Sequence, residues 1–295
     1  MSEPININPK IAKLYEDVPQ KSVQVLQDFR ARYPYQEVTL EGRTWRYIDS
    51  EAGEKALLMP AGGTTIAEVS FNSIAHFAQN YRVIAPDYPP IEEMRELCDG
   101  LIALLNYLEI GDFYTMGGSY GGWMVQSLVR LYPQRIDKLV ITAVGPPDEA
   151  NSQELARLIG WLRLSPTFML RWMITRTFSR LATGKVEDAH MSLLLALMRE
   201  AIYIRIGRED ILAMIQRLID QTENYSFSAD DLKDWPGDIL LVFGSEDPAT
   251  PLTRREAMQA LYPEAEMIVF EGGEHGIAIT HQQEYFAVID EFFAG

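Results

Sequence analysis

The segment most able to do chemistry is Gly117-Gly118-Ser119-Tyr120-Gly121-Gly122. It fits the pattern Gly-x-Ser-x-Gly, follows a run that reads as a strand (112–118) and opens one that reads as a helix (123–133). A strand that turns straight into a helix brings the two nearly into contact two residues before and two residues after the serine. Gly117 and Gly121 leave that room. The turn holds Ser119 at the carboxyl end of a sheet. A serine hydroxyl is a weak nucleophile, so it needs a base, and the base needs a carboxylate to orient it. Asp247 and His275 are in the right places. The strand-like run 238–244 ends in Ser245-Glu246-Asp247-Pro248, and 266–272 ends in Gly273-Glu274-His275-Gly276. The chemistry this predicts is acyl transfer: Ser119 attacks a carbonyl, His275 takes its proton and later activates water, and Asp247 holds the imidazole. Glu246 and Asp148 are rival acids. His190 and His281 fall in helical patterns and read as structural or surface residues.

These residues need a frame. Residues 10–33 read as helix with a break near Pro19, and 38–49 as a hairpin around Glu41-Gly42. Short apolar runs at 55–60, 81–88, 112–118, 138–145, 238–244 and 266–272 then alternate with helical patterns at about 67–80, 91–108, 123–133 and 281–293. Strands apolar on both faces and separated by helices predict a mostly parallel sheet flanked by helices, with an antiparallel edge from the hairpin. Residues 150–232 contain helical stretches and no convincing strand, which predicts a helical cap inserted into a core of 1–149 and 233–295. Within it no acid occurs between Glu154 and Glu187, while Arg157, Arg163, Arg171, Arg176, Arg180 and Lys185 are all basic. Its aromatic and methionine face is expected to pack on the core, with the arginines facing solvent or acidic core loops. The sharper alternatives are a pocket for an apolar acyl group with an anionic end, or a lid that touches a partner or a membrane.

Composition removes other classes. The 295 residues hold 26 Lys+Arg and 42 Asp+Glu, a net charge of −16, which argues against phosphate-rich partners such as nucleic acids. The insertion is neutral by count, so the acidity belongs to the core. Apolar residues at 47% and charged residues at 23% describe a globular chain. Cys98 is the single cysteine, so there is no intrachain disulfide, and it reads as a small buried hydrophobe. The four scattered histidines make no metal-binding pair. The first residues lack the apolar stretch of a signal peptide, and no run reaches the roughly 20 apolar residues of a membrane span. The expectation is a cytoplasmic protein acting on a small molecule without a cofactor.

With serine, acid and histidine in this chain order, the sequence resembles the α/β-hydrolase superfamily over nearly its whole length, and LLMPAGGTT, YRVIAPDYPP and LCDGLIALLNYL resemble its maspardin-like members. The resemblance implies a serine hydrolase, most simply a carboxylic-ester hydrolase on small to medium apolar acyl substrates. It also implies an oxyanion hole from two backbone N–H groups. Tyr120, after the nucleophile, should supply one. Gly62 should supply the other, with Ala61 as the fallback, because Pro60 has no N–H. The chain departs from the common pattern in having Pro60-Ala61 where relatives carry His-Gly, and Tyr88-Pro89-Pro90 where they carry glycines. Carbon–carbon and amide hydrolases of the same fold, or a non-enzymatic binding or adaptor role, are the alternatives.

Overall fold

The computed structural model describes residues 9–147, 149–181 and 188–295. Pro19 separates α1 (Pro9–Leu14) from α2 (Gln20–Arg32). Strands β1 (Tyr35–Leu40) and β2 (Arg43–Asp49) form the expected hairpin, whose turn residues Glu41 and Gly42 have φ of 52° and 78°, the twist-matched geometry for two-residue loops. Next come β3 (Ala56–Leu58), a tight turn at 67–70 leading into α3 (Phe71–Phe77), β4 (Arg82–Pro86), α4 (Met94–Tyr107), β5 (Phe113–Gly118), α5 (Tyr120–Leu131) and β6 (Ile136–Thr142). The helix expected over 67–80 is therefore shorter, and its first turn is 3₁₀. After a long helical segment the sheet resumes with β7 (Asp238–Gly244), α10 (Leu252–Leu261) and β8 (Glu266–Phe270), and the chain closes with α11 (Ile277–Thr280) and α12 (Gln282–Ala294).

The eight strands lie in the order β1-β2-β4-β3-β5-β6-β7-β8, with β2 antiparallel to both neighbours and the rest parallel. The chain reverses direction across the sheet around β3 and β5, and open α/β sheets bind ligands at the strand carboxyl ends beside such a reversal. Consecutive strand residues serve opposite faces. Leu58, Ile84, Ile141 and Phe243 pack under α4 and α5, while Leu57, Val83, Val140 and Val242 pack against α2, α3 and α12. Each such side chain, fully buried, contributes about 1.5–3 kcal/mol of transfer free energy. This is why the strands read as continuous apolar runs.

Between β6 and β7 lie α6 (Glu149–Leu164), α7 (Thr167–Leu181), α8 (Asp188–Glu200), a π-turn (Ala201–Arg205) and α9 (Arg208–Asn224). Helices α6, α7 and α9 and the π-turn share a small core, including Leu170, Ile174, Ile202, Ile211, Ile215 and Ile219, which Ile66 enters from the sheet side, while Leu193, Ala196 and Leu197 of α8 pack into the core of the sheet. Polar contacts fasten this segment to the rest. On one flank Arg30 of α2 bonds Glu68 (2.7 Å) and Glu200 (2.8 Å), while Arg205 bonds Glu68 (2.5 Å) and Asp87 (3.1 Å). The Tyr15 and Tyr35 hydroxyls donate to Glu200 and Asp87 at 2.7 Å each. Burial pushes the Asp87 carboxyl above its usual range, with Arg205 pulling it part of the way back. On the other flank Arg217 and Gln221 of α9 are buried against α5: Arg217 Nε donates to the Tyr120 hydroxyl (2.6 Å), and Gln221 donates to the Trp123 carbonyl (2.9 Å) and to Ser127 (2.8 Å).

One sequence expectation does not hold. The aromatic residues of α6 and α7 do not all turn to the core, because Trp161, Phe168, Met169 and Trp172 are exposed and only Met173 and Phe178 turn inward. The helices carry apolar residues on two faces, and a single packing partner covers one of them.

Removing one member of the buried ion cluster leaves its partners charged and dry. The variant Arg205→Met should lose about 3–5 kcal/mol in denaturant unfolding, because Glu68 and Asp87 both lose a partner. A loss below ~1 kcal/mol would mean that the cluster is wetter than its burial indicates.

Candidate active site

Ser119 sits at the β5–α5 junction with φ 52° and ψ −120°, a conformation that non-glycine residues seldom adopt. The turn is forced by close packing. A Cβ on Gly117 would lie 2.3 Å from the Gly121 carbonyl oxygen, so strand and helix touch there as backbone. The last strand contact is Ser119 N–H donating to the Thr142 carbonyl at 2.9 Å. Beyond it α5 begins, and the Tyr120 N–H falls in a first helical turn, where no intrahelical acceptor is available.

The loops after β7 and β8 bring the acid and the histidine together. Glu246 N–H donates to the Gly273 carbonyl at 2.8 Å, and a Cβ on Gly244 would collide with that carbonyl oxygen at 2.2 Å. The contact sets Asp247 beside His275, whose Nδ1 lies 2.9 Å from Asp247 Oδ2 and 3.1 Å from Oδ1. His275 Nε2 lies 3.0 Å from Ser119 Oγ. Asp247 is buried and accepts further hydrogen bonds from the Ala249 N–H (2.8 Å) and the Thr250 hydroxyl (2.7 Å). Burial alone would raise its carboxyl, but the bonds from His275, Thr250 and Ala249 outweigh it and hold the group below the usual range. A charged Asp247 selects the tautomer with the proton on Nδ1, which leaves Nε2 free to accept the Ser119 proton.

Of the rival acids, Glu246 is exposed, and Asp148 lies outside the described residues. His190 is exposed, as expected of a surface residue, and also lines the rim of a cavity that contains Ser119. His281 bonds Thr280 at 2.9 Å, away from the serine. Cys98 is buried, its thiol pushed up by burial. Gly62 and Ala61 both line the cavity at Ser119. The Ala61 carbonyl accepts from the Tyr88 hydroxyl at 2.9 Å, and no described peptide bond is cis. The Gly62 N–H, across that trans peptide, therefore points away from Tyr88. The Tyr88-Pro89-Pro90 departure thus has a use that the sequence did not reveal: it braces the loop carrying Gly62. Among the described residues no group of three or more His, Cys, Asp or Glu is arranged to hold a metal ion, and no helix is long and apolar enough to cross a membrane.

Two chambers meet at the serine. One, of about 280 Å³, is bounded by the loop after β3, α8 and the 275–280 segment. The other, of about 370 Å³, is bounded by α7, α9 and the start of α5. Gly63, Ser119, Ala143, Phe178 and His275 border both. Phe178 stands between them, its ring filling the space that a side chain at Gly63 would need. No described Asp or Glu lines either chamber, and Arg254, in the larger one, is the one Lys or Arg among the described lining residues.

Two consequences can be measured. The Ser119 backbone is strained by about 1–3 kcal/mol for a residue with a Cβ, so Ser119→Gly should be more stable than Ser119→Ala in parallel thermal melts; equal stabilities would deny the strain. Asp247, held below its unfolded value, stabilises the fold at pH above the ordinary carboxylate range, and that gain is lost as pH falls through the lowered value. The stability gap between wild type and Asp247→Asn should therefore be full near neutrality and close below about pH 4.

Comparison with known proteins bears on the fold and the family. A model described as "Alpha/beta hydrolase family" matches residues 56–288. Maspardin of Homo sapiens is 27% identical over 252 residues, covering 80% of this chain and 76% of maspardin. The 2-hydroxymuconate semialdehyde hydrolase of Pseudomonas sp. strain CF600 is 24% identical over 277 residues, covering 88% of this chain and 93% of that protein. Among solved structures, the 2-hydroxy-6-oxo-6-phenylhexa-2,4-dienoate hydrolase of Rhodococcus sp. strain RHA1 superposes with a TM-score of 0.68 at 21% identity, covering 89% of this chain and 99% of that one. Sheet order, serine turn and family match together make the chain a member of the α/β-hydrolase family.

Proposed function

We propose that the protein is a serine hydrolase that cleaves carboxylic esters through an acyl-enzyme on Ser119. The observation that carries this reading is the bridge of His275 between Ser119 (3.0 Å) and Asp247 (2.9 Å). In the first half-reaction His275 Nε2 takes the Ser119 proton as Oγ attacks the ester carbonyl. The N–H groups of Tyr120 and Gly62 receive the oxyanion, and His275 returns the proton to the leaving alcohol. In the second half-reaction His275 activates a water that releases the acid. Asp247 stays charged and stabilises the imidazolium. No step calls for a metal or an organic cofactor.

Segment 150–232 acts in this proposal as a cap, supplying Phe178, Met173, Met191 and Met198 to the chambers. The acid-free linings favour uncharged, apolar groups on both sides of the scissile carbonyl, one group in each chamber. A second reading, hydrolysis of a carbon–carbon bond in a 2-hydroxy-6-oxo acid, is favoured by the relatives that carry such activities in their names and by the cationic Arg254 at the larger chamber. The maspardin resemblance keeps a binding role in view, and the intact serine, histidine and aspartate weigh against it.

A fluorophosphonate probe should label the wild type at Ser119 and leave Ser119→Ala unlabelled; no labelling under conditions that label another serine hydrolase would favour the binding role. Across p-nitrophenyl esters of increasing chain length kcat/KM should pass through a maximum, and Phe178→Ala, which joins the chambers, should move it to longer acyl chains. Turnover of a 2-hydroxy-6-oxo-dienoate together with inertness toward all the esters would select carbon–carbon hydrolysis instead.

A further inference from the structure

The outer face of α6 and α7 is the largest feature that the chemistry at Ser119 leaves unused. Trp161 is 77% exposed, Leu164 85%, Phe168 70% and Trp172 61%, and Leu158 and Met169 stand beside them at 45% and 48%. Leu158, Trp161 and Leu164 follow one stripe of α6, and Phe168 and Trp172, one turn apart, follow one stripe of α7. Soluble monomers seldom leave six large apolar side chains exposed within one 15-residue stretch, here residues 158–172, and such exposure marks a contact surface.

The charges around it narrow the partner. Arg157, Arg163 and Arg176 are exposed on the same two helices, in the stretch where no acid occurs between Glu154 and Glu187. Arg163 also reaches Glu92 at 2.8 Å, and Arg176 lies over the Trp172 ring at 5.6 Å from its centroid. The rest of the protein carries the whole −16, so a basic apolar patch here is local, and apart from Glu92 a Debye length of about 8 Å at physiological salt weakens the pull of more distant core acids on it. Tryptophan, phenylalanine and leucine on a helical surface set with arginines are the composition of an element that lies in a lipid–water interface. A second copy of this chain is a poorer fit, because a twofold contact through the patch would set two basic surfaces against each other.

We infer that the α6–α7 face docks on a lipid surface carrying anionic headgroups, with its tryptophans and Phe168 in the interface and its arginines at the headgroups. The opposite face of α7 presents Met173, Ile174 and Phe178 to the chambers at Ser119. One helix thus separates the docking surface from the reaction site. If the hydrolase reading holds, on which this clause alone rests, the substrate class narrows to apolar esters dissolved in or leaving a membrane.

The test separates docking from catalysis by using the full chain as Ser119→Ala, which cannot turn lipid over. It should cosediment with phosphatidylcholine vesicles containing about one third phosphatidylglycerol, and less with pure phosphatidylcholine. Tryptophan emission should shift to the blue on binding. The triple change Trp161→Ala, Phe168→Ala, Trp172→Ala should lower the partition coefficient roughly tenfold or more, and in the Ser119 background should leave hydrolysis of a water-soluble ester unchanged. Absence of vesicle binding, equal binding to both vesicle types, or undiminished binding by the triple variant would overturn the inference. So would sedimentation showing a dimer that the triple change dissolves. None of these outcomes depends on whether Ser119 is a nucleophile.

Discussion

The contact between Gly117 and the Gly121 carbonyl is the constraint on which the rest depends. It lets a central strand and the helix after it meet as bare backbone, and the serine between them has no relaxed conformation available. Ser119 is thereby held at the strand tip before any ligand arrives, and the sheet bears the strain. The same device recurs two strands away, where Gly244 lies against Gly273 and the two loops cross closely enough for Asp247 and His275 to share hydrogen bonds. Rigidity at these two crossings, rather than anything in the loops themselves, sets the distances from serine to histidine to aspartate.

The helical segment above the site is joined to the sheet in a different manner. Helices α6, α7 and α9 share an apolar core, α8 packs Leu193, Ala196 and Leu197 into the core of the sheet, and ion pairs and hydrogen bonds complete the fastening: Arg30, Glu68, Glu200, Arg205 and Asp87 on one flank, Arg217 and Gln221 on the other. Buried ion pairs of this sort contribute modest net stability but tolerate few alternative arrangements. The π-turn that presents Arg205 follows directly on α8, so the register of that helix, which carries His190 and Met191 to the smaller chamber, is tied to the position of Glu68 near the loop after β3. Similarly, Arg217 grips the side chain of Tyr120, the residue after Ser119.

Much of this was legible in the sequence because the signals were local. The Gly-x-Ser-x-Gly turn, the strand tips before Asp247 and His275, the hairpin at Glu41-Gly42 and the break at Pro19 each depend on a few neighbouring residues and on backbone sterics. The distances from His275 to both partners follow from strand order, which alternation of element types suggested without fixing. What stayed hidden was long-range. Nothing near Tyr88 indicates that its hydroxyl holds the Ala61 carbonyl, and nothing near Arg205 or Arg30 marks them as buried. The helix carrying His190 gave no clue to which of its residues line the chamber at Ser119. The aromatic stripe of α6 and α7 misled for a related reason: hydrophobic periodicity reports that a face is apolar, and does not say whether this chain covers it.

The ion cluster at the α8 flank has a consequence for where the folding unit begins. The family match starts at residue 56, yet Tyr15, Arg30 and Tyr35, which neutralise or hydrogen-bond Glu200, Glu68 and Asp87, all lie before it. Arg46, within 4.0 Å of Asp87, lies there too. A chain cut to the matched residues would keep three buried carboxylates and, of the arginines that answer them, only Arg205. The first two helices and the hairpin are thus not an appendage to a self-sufficient core. They are the counterions of its interior, and the segment that walls the chambers at Ser119 inherits its seat from residues that lie before the matched span.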